Sequence, residues 1–172
     1  MNETPIWSHR FRMADLSRGP VVLSLEADSA TRDSLASHLG LRVIKSLVAE
    51  ARIRPWLDGA EISGRFEALI EQESGISLEI FDQVVAGPLE VRLVPAGSPN
   101  APDPEIELDP EAPDPPEILD GDIIDVAAYV VEHLAVEIDP FPRQPGETFE
   151  YVSPQDDDSP FAVLKRLKDD NG

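Results

Sequence analysis

Apolar residues recur at two periods along this chain, and each period marks a different kind of element. The helical period is longest between residues 117 and 146, where Ile123, Ala127, Val130, Val131, Leu134 and Ile138 follow one another at three- and four-residue steps. The spacing predicts a helix over Ile123–Ile138, with Asp125, Glu132, His133 and Glu137 largely off its apolar face. Asp122 is placed to cap its first turn, and Pro140 disfavours helical geometry at Asp139 and ends it. Alternation at period two predicts strands. Ile6–Met13 turns Trp7, Phe11 and Met13 inward and Arg10 and Arg12 outward, and Val21–Ala27 follows. Leu41–Trp56 sets Val43, Leu47, Ala49, Ala51 and Ile53 on one face, with Lys45 interrupting. After the Asp58-Gly59 turn, Ile62, Gly64, Phe66, Ala68 and Ile70 give the cleanest alternation in the chain. A turn around Glu73–Gly75 leads to Ile76, Leu78 and Ile80, and beyond a break at Gly87-Pro88 comes a strand of Leu89, Val91 and Leu93. A short helix, Ala30–Leu39, begins at Asp28 or Ser29 and stops at Gly40, with His38 in its last turn. The expected fold is α+β: an antiparallel β-meander of about five to six strands, open or curled toward a barrel, packed against one main amphipathic helix and one short helix.

Composition changes abruptly at residues 95–116, where proline and carboxylates crowd out apolar side chains. Such a segment buries too little surface to order itself and reads as an acidic, mobile insertion. Residues 1–146 are expected to form one domain around it. Residues 147–172 read as a flexible acidic tail carrying one apolar motif, 160–168, in which Phe161, Leu164 and Leu167 alternate with Lys165, Arg166 and Lys168. That motif is either a docking helix or a partner-binding segment.

The 172 residues suffice for one core, and the absence of cysteine excludes disulfides and thiolate metal sites. Met1–Arg10 has no apolar run and no stretch approaches a membrane span, so a cytoplasmic protein without membrane contact is expected. Charge is uneven: residues 1–92 hold 10 basic and 14 acidic side chains, residues 93–172 hold 4 and 20. The net charge of -20 repels phosphate, attracts basic proteins and favours a monomer. The basic residues of the sheet-forming half, Arg10, Arg12, Arg52, Arg54 and Arg65 among them, are the candidates for a local RNA-contacting patch.

Catalysis has little to work with. The three histidines are scattered, no serine sits in a nucleophile elbow, and no glycine-rich loop opens a helix after a strand. Asp103, Glu105, Glu107, Asp109 and Glu111 alternate as calcium ligands do, yet lack the turn glycine and the final bidentate glutamate. Neither an enzyme nor a cofactor is expected.

Three motifs in order resemble the YceD family, the large ribosomal RNA subunit accumulation proteins of bacteria and plastids. The first comprises Asp120, Gly121, Ile124, Asp125, Glu132, Leu134, Pro140, Pro142, Arg143, Pro145 and Gly146. The second is Gln72–Phe81, QESGISLEIF, similar to the family's QTCVVTLEPF. The third, Ser159–Lys168, is similar to the closing NPFAVLKxLK of its alphaproteobacterial branch. The family's cysteines near QTC are replaced here by Ser74 and Ser77. The resemblance implies a non-enzymatic factor promoting 23S rRNA accumulation or processing. Its partners would be ribosomal proteins, rRNA-processing factors or a 23S rRNA precursor. The alternative is an acidic adaptor or chaperone for a basic ribosomal protein, without RNA contact. Candidate partner-binding residues are Asp125, Glu132, Arg143, Phe161 and Leu164. Asp125 and Glu132, seven apart, fall on nearly the same side of a helix. Arg143, held between Pro142 and Pro145, either pairs with a helix carboxylate or offers its guanidinium to a phosphate or a partner's carboxylate.

Overall fold

A computed structural model describes residues 5–102 and 114–148. The chain forms β1 (Arg10–Arg12), a 3-10 helix (Met13–Arg18), β2 (Val21–Glu26), α1 (Ser29–Leu39), β3 (Val43–Trp56), β4 (Gly59–Glu73), β5 (Ile80–Pro95), β6 (Glu117–Leu119), β7 (Ile123–Asp125) and α2 (Val126–Glu137). One sheet runs β2-β3-β4-β5-β6, and a small second one pairs β1 with β7. The class is α+β, as the two periods predict. The large sheet ends at β2 and β6 and is open, so of the two forms the meander allowed it takes the uncurled one. Its last strand also departs from a meander. β6 lies parallel to β5, with Glu117, Ile118 and Leu119 opposite Leu93, Val94 and Pro95.

β4 is the spine. It pairs with β3 from Gly59 to Glu71 and with β5 from Ala60 to Glu73. Alternation along it sends Ile62, Phe66, Ala68 and Ile70 to one face, where all are buried. Their cross-strand partners Ile53, Ala49, Leu47 and Ile44 on β3, and Val91 and Val85 on β5, extend the same layer. Val126, Val130 and Leu134 of α2 close it from above, with Leu35 of α1 packed in the same cluster. The other face of the sheet carries charged and polar side chains together with exposed Val22, Val48 and Val84.

Local sequence explains the edges of these elements. Asp28 accepts a hydrogen bond from Thr31 N at 2.8 Å and starts α1, and Gly40 stops it in the left-handed region. The 3-10 helix follows β1 directly and ends at Gly19, before Pro20. The β3–β4 hairpin turns on Leu57-Asp58, with Leu57 at φ 52.

Three expected features are corrected. Lys45 does not merely interrupt an apolar face: the register slips between Ile44 and Ser46, so Ile44 turns inward and Val43 outward. This β-bulge expels Lys45 toward Glu71 and Asp82, which it meets at 3.0 and 2.6 Å. Gly87-Pro88 does not break β5, whose pairing with β4 runs through Gly87↔Phe66 and Pro88↔Arg65. Along that part β5 has, among the described residues, β4 on one side only, and an edge strand tolerates a residue without N–H. The main helix starts at Val126, not Ile123, because residues 123–125 are held extended as β7 by β1. Ile123 therefore points to solvent, and Asp122 offers its carbonyl to Met13 N instead of capping the helix.

The insertion also has firmer ends than 95–116. Pro95 belongs to β5, and Ser98 Oγ and Asn100 Nδ2 both donate to Asp58, at 3.0 and 2.9 Å. Residues 103–113, the body of the expected insertion, and residues 149–172, nearly all of the expected tail, lie outside the described residues.

Glycine at 64 is set by close approach. A Cβ there would stand 1.9 Å from Glu50 O of the neighbouring strand, and backbone has nowhere to yield. Gly64→Ala is expected to lower stability by about 2 kcal/mol or more in urea denaturation, whereas Val22→Thr, on the exposed face, is expected to stay within about 0.5 kcal/mol.

Candidate functional site

Two stretches far apart in sequence meet at one corner of the molecule. One is the loop between β4 and β5, Ser74–Glu79; the other is the exit from α2, Asp139–Glu147. Gly75 N donates to Pro142 O at 2.9 Å, and Gln72 Nε2 donates to Asp139 O at 3.2 Å. Ser74 Oγ donates to Glu147 Oε2 and accepts from Ile76 N at 3.1 Å and Ser77 N at 3.3 Å. Glu147 also accepts from Gln144 N at 2.9 Å, so its carboxylate closes the exit turn and ties it to the loop. The hydroxyls of Ser74 and Ser77 lead in holding Glu147 below the ordinary glutamate range, with Gln144 N adding to them. Gln72, Ser74 and Pro142 are buried in this junction.

Among what the junction presents outward are two large apolar side chains and one cation, alongside exposed Glu79 and Asp139. Phe141 is 78% exposed and Leu78, at φ 62, is 69% exposed. Arg143 is exposed, and among the described residues it has no carboxylate partner. The pairing of Arg143 with a helix carboxylate is thus not the arrangement found. Its backbone starts from a fixed point because Pro142, next to it, is buried and bonded to Gly75.

Asp125 has a different task. It stands at the N-cap position of α2 without capping it. Its carboxylate accepts from Ser8 Oγ at 2.6 Å and from His9 N at 2.8 Å, while Val126 N donates to His9 O at 3.0 Å. Asp125 therefore clamps the N-terminal segment against the start of α2. Glu132 is exposed two turns further on and lines a notch of about 260 Å³ with Ile6, Trp7, Leu35, His38 and Val131. Burial, then the nearby charge of Glu117, raises its pKa, and His133 opposes the rise. Asp125 and Glu132 both border the N-terminal segment, but Asp125 does so from β7 and not from the helix on which their seven-residue spacing was read, and Arg143 lies beyond the other end of α2. Phe161 and Leu164 fall outside the described residues.

The basic candidates do not form one patch. Arg10 and Arg12 sit in the small β1–β7 sheet, while Arg52, Arg54 and Arg65 share the open face of the large one. There Arg54 pairs with Glu61, which also holds Arg92, and Arg65 pairs with Glu50 at 3.0 Å. Arg92 lies over the Trp56 ring, 5.5 Å from its centroid. Glu26, Glu67 and Glu90 occupy neighbouring positions on this face.

Sequence reasoning missed the Ser74–Glu147 lock, because Glu147 reads as the first residue of a polar tail. It also missed Tyr129. Burial, then the charge of Glu117 and a hydrogen bond to it, raises the Tyr129 pKa. No family model, curated protein or solved structure matches the chain.

Two outcomes follow from these contacts. Asp125→Ala is expected to lower stability by about 1–2 kcal/mol, read by chemical denaturation, and to speed amide exchange in β1. The Glu147 lock is expected to depend on pH. A carboxylate with a depressed folded pKa stabilises fully above its ordinary value of 4.5 and loses that contribution as pH falls through the folded value. Exchange at the Gly75 amide is therefore expected to accelerate, relative to a β4 amide, below the ordinary glutamate range, and Glu147→Gln is expected to remove that pH dependence.

Proposed function

We propose that this protein is a non-enzymatic factor in large ribosomal subunit biogenesis that promotes accumulation or processing of 23S rRNA. It acts as a cytoplasmic monomer by binding a ribosomal protein or an rRNA-processing factor. The supporting observation is the corner itself. Two of the three stretches that resemble the YceD family, Gln72–Phe81 and Pro140–Gly146, are separate in sequence and hydrogen-bonded together in the fold. Arg143 projects from a rigid base, beside Phe141 and Leu78, as a guanidinium anchor next to apolar contact area.

The open face of the sheet favours one version of this reading. With Arg54 and Arg65 already engaged by Glu61 and Glu50, that face has little positive charge to offer a phosphate backbone. An acidic adaptor for a basic ribosomal protein, without RNA contact, accords with this better than direct binding of 23S rRNA.

The reading is tested in cells lacking the protein, by their rRNA profile and by complementation. Wild-type protein is expected to restore 23S rRNA. Arg143→Ala is expected to fail at normal expression and with an unchanged melting temperature. Full restoration by Arg143→Ala would remove Arg143 from the site, and an unaltered rRNA profile in the deletion would end the proposal. A salt-dependent RNA gel shift by the purified protein would favour direct contact; co-purification of a basic ribosomal protein without a shift would favour the adaptor.

A further inference from the structure

The inward side of α2 is fully accounted for by Val126, Val130 and Leu134, which are completely buried. Its outward side is not. Ala128, Val131, Ala135 and Val136 surround a single carboxylate there, Glu132, and Val136 is 84% exposed. A helix apolar on nearly every side belongs in an interior, so this outer face calls for a cover. Beside it, the notch walled by Ile6, Trp7 and Leu35 gives an apolar side chain a place to insert.

We propose that the outward face of α2 is the docking site of this chain's own segment 160–168, whose Phe161 and Leu164 pack over Val131, Val136 and the Trp7 notch while its basic residues meet Glu132. Three observations select this occupant. The first is charge. Of the four basic residues in 93–172, three are Lys165, Arg166 and Lys168 of this segment, and the face they would meet is centred on the carboxylate of Glu132. The second is pattern. Phe161, Leu164 and Leu167 form a single apolar stripe, which alone cannot bury itself. The third is reach. From Thr148 to Pro160 is twelve residues, or roughly 40 Å when extended, against about 18 Å for the whole of α2. Thr148 follows the exit turn that leaves the C-terminal end of α2, so the tether is rooted in the same chain that forms the helix. Tethering makes even a weak contact effective, since a short linker supplies an effective concentration in the millimolar range. The inference does not depend on the ribosomal reading.

The chain has no cysteine, so Asp170→Cys provides a unique site for a nitroxide label on the full-length protein. Docking is expected to reduce the amide NMR signals of Trp7, Val131 and Ala135 several-fold relative to the reduced label, and to spare Val22, Arg52 and Ser63 on the open sheet face. Phe161→Asp with Leu164→Asp, or Val136→Asp on the helix, is expected to abolish the loss. Losses spread evenly, centred on the open face, or insensitive to these substitutions would overturn the proposal. So would losses that persist when isotope-labelled, nitroxide-free protein is mixed with unlabelled nitroxide-bearing protein, which would make the occupant a second copy.

Discussion

The fold depends on β4 being paired along both sides for nearly its whole length. Its backbone donors and acceptors are satisfied by β3 on one side and β5 on the other, and its side chains alternate without a fault. One face is buried, so a slip of one residue would carry Ile62, Phe66 and Ile70 to solvent. That penalty fixes the register of the three long strands together. Once they are fixed, β5 offers the apolar bed on which α2 lies, and the position of α2 determines where the N-terminal segment and the exit turn attach.

This also explains which parts were legible in the sequence. β4 and the inward face of α2 were readable because their periodicity is local and is imposed by one buried side. The bulge was visible as Lys45 in an apolar face, but a pattern cannot distinguish a charged residue tolerated in a face from an extra residue squeezed out of it. Ile123 was misplaced for a different reason. Its helical spacing is real, and pairing with β1, more than a hundred residues earlier, overrides it. Pro88 is a breaker by its own chemistry and became harmless only because β5 has, among the described residues, a free side there. At the candidate site, Arg143 between prolines could be singled out in advance. Ser74 and Glu147 could not, because a hydrogen bond between residues so far apart leaves no mark on either neighbourhood.

The two surfaces of the molecule are built on different principles. On the open side of the sheet, cross-strand neighbours neutralise one another: Arg65 with Glu50, Lys45 with Glu71 and Asp82, Arg54 and Arg92 with Glu61. Such exposed pairs add little stability, but they leave a face without a strong field of either sign. On the helix side, apolar side chains stand open at the outer face of α2 and at Phe141 and Leu78. Recognition by this protein is therefore expected to be led by contact area on the helix side rather than by long-range attraction across the sheet.

The parallel pairing of β5 and β6 has a consequence for how the gene can change. Ala96 N donates to Leu119 O at 3.1 Å, so the residues that flank the connection are held side by side by the sheet itself. Lengthening such an excursion is cheap, since each doubling of a flexible loop adds only about 0.6 kcal/mol of closure entropy. This position is a natural port. Evolution can vary its length and acidity independently of the core, and an experimenter can splice a reporter or an affinity tag there without touching β4, α2 or the corner that carries Arg143.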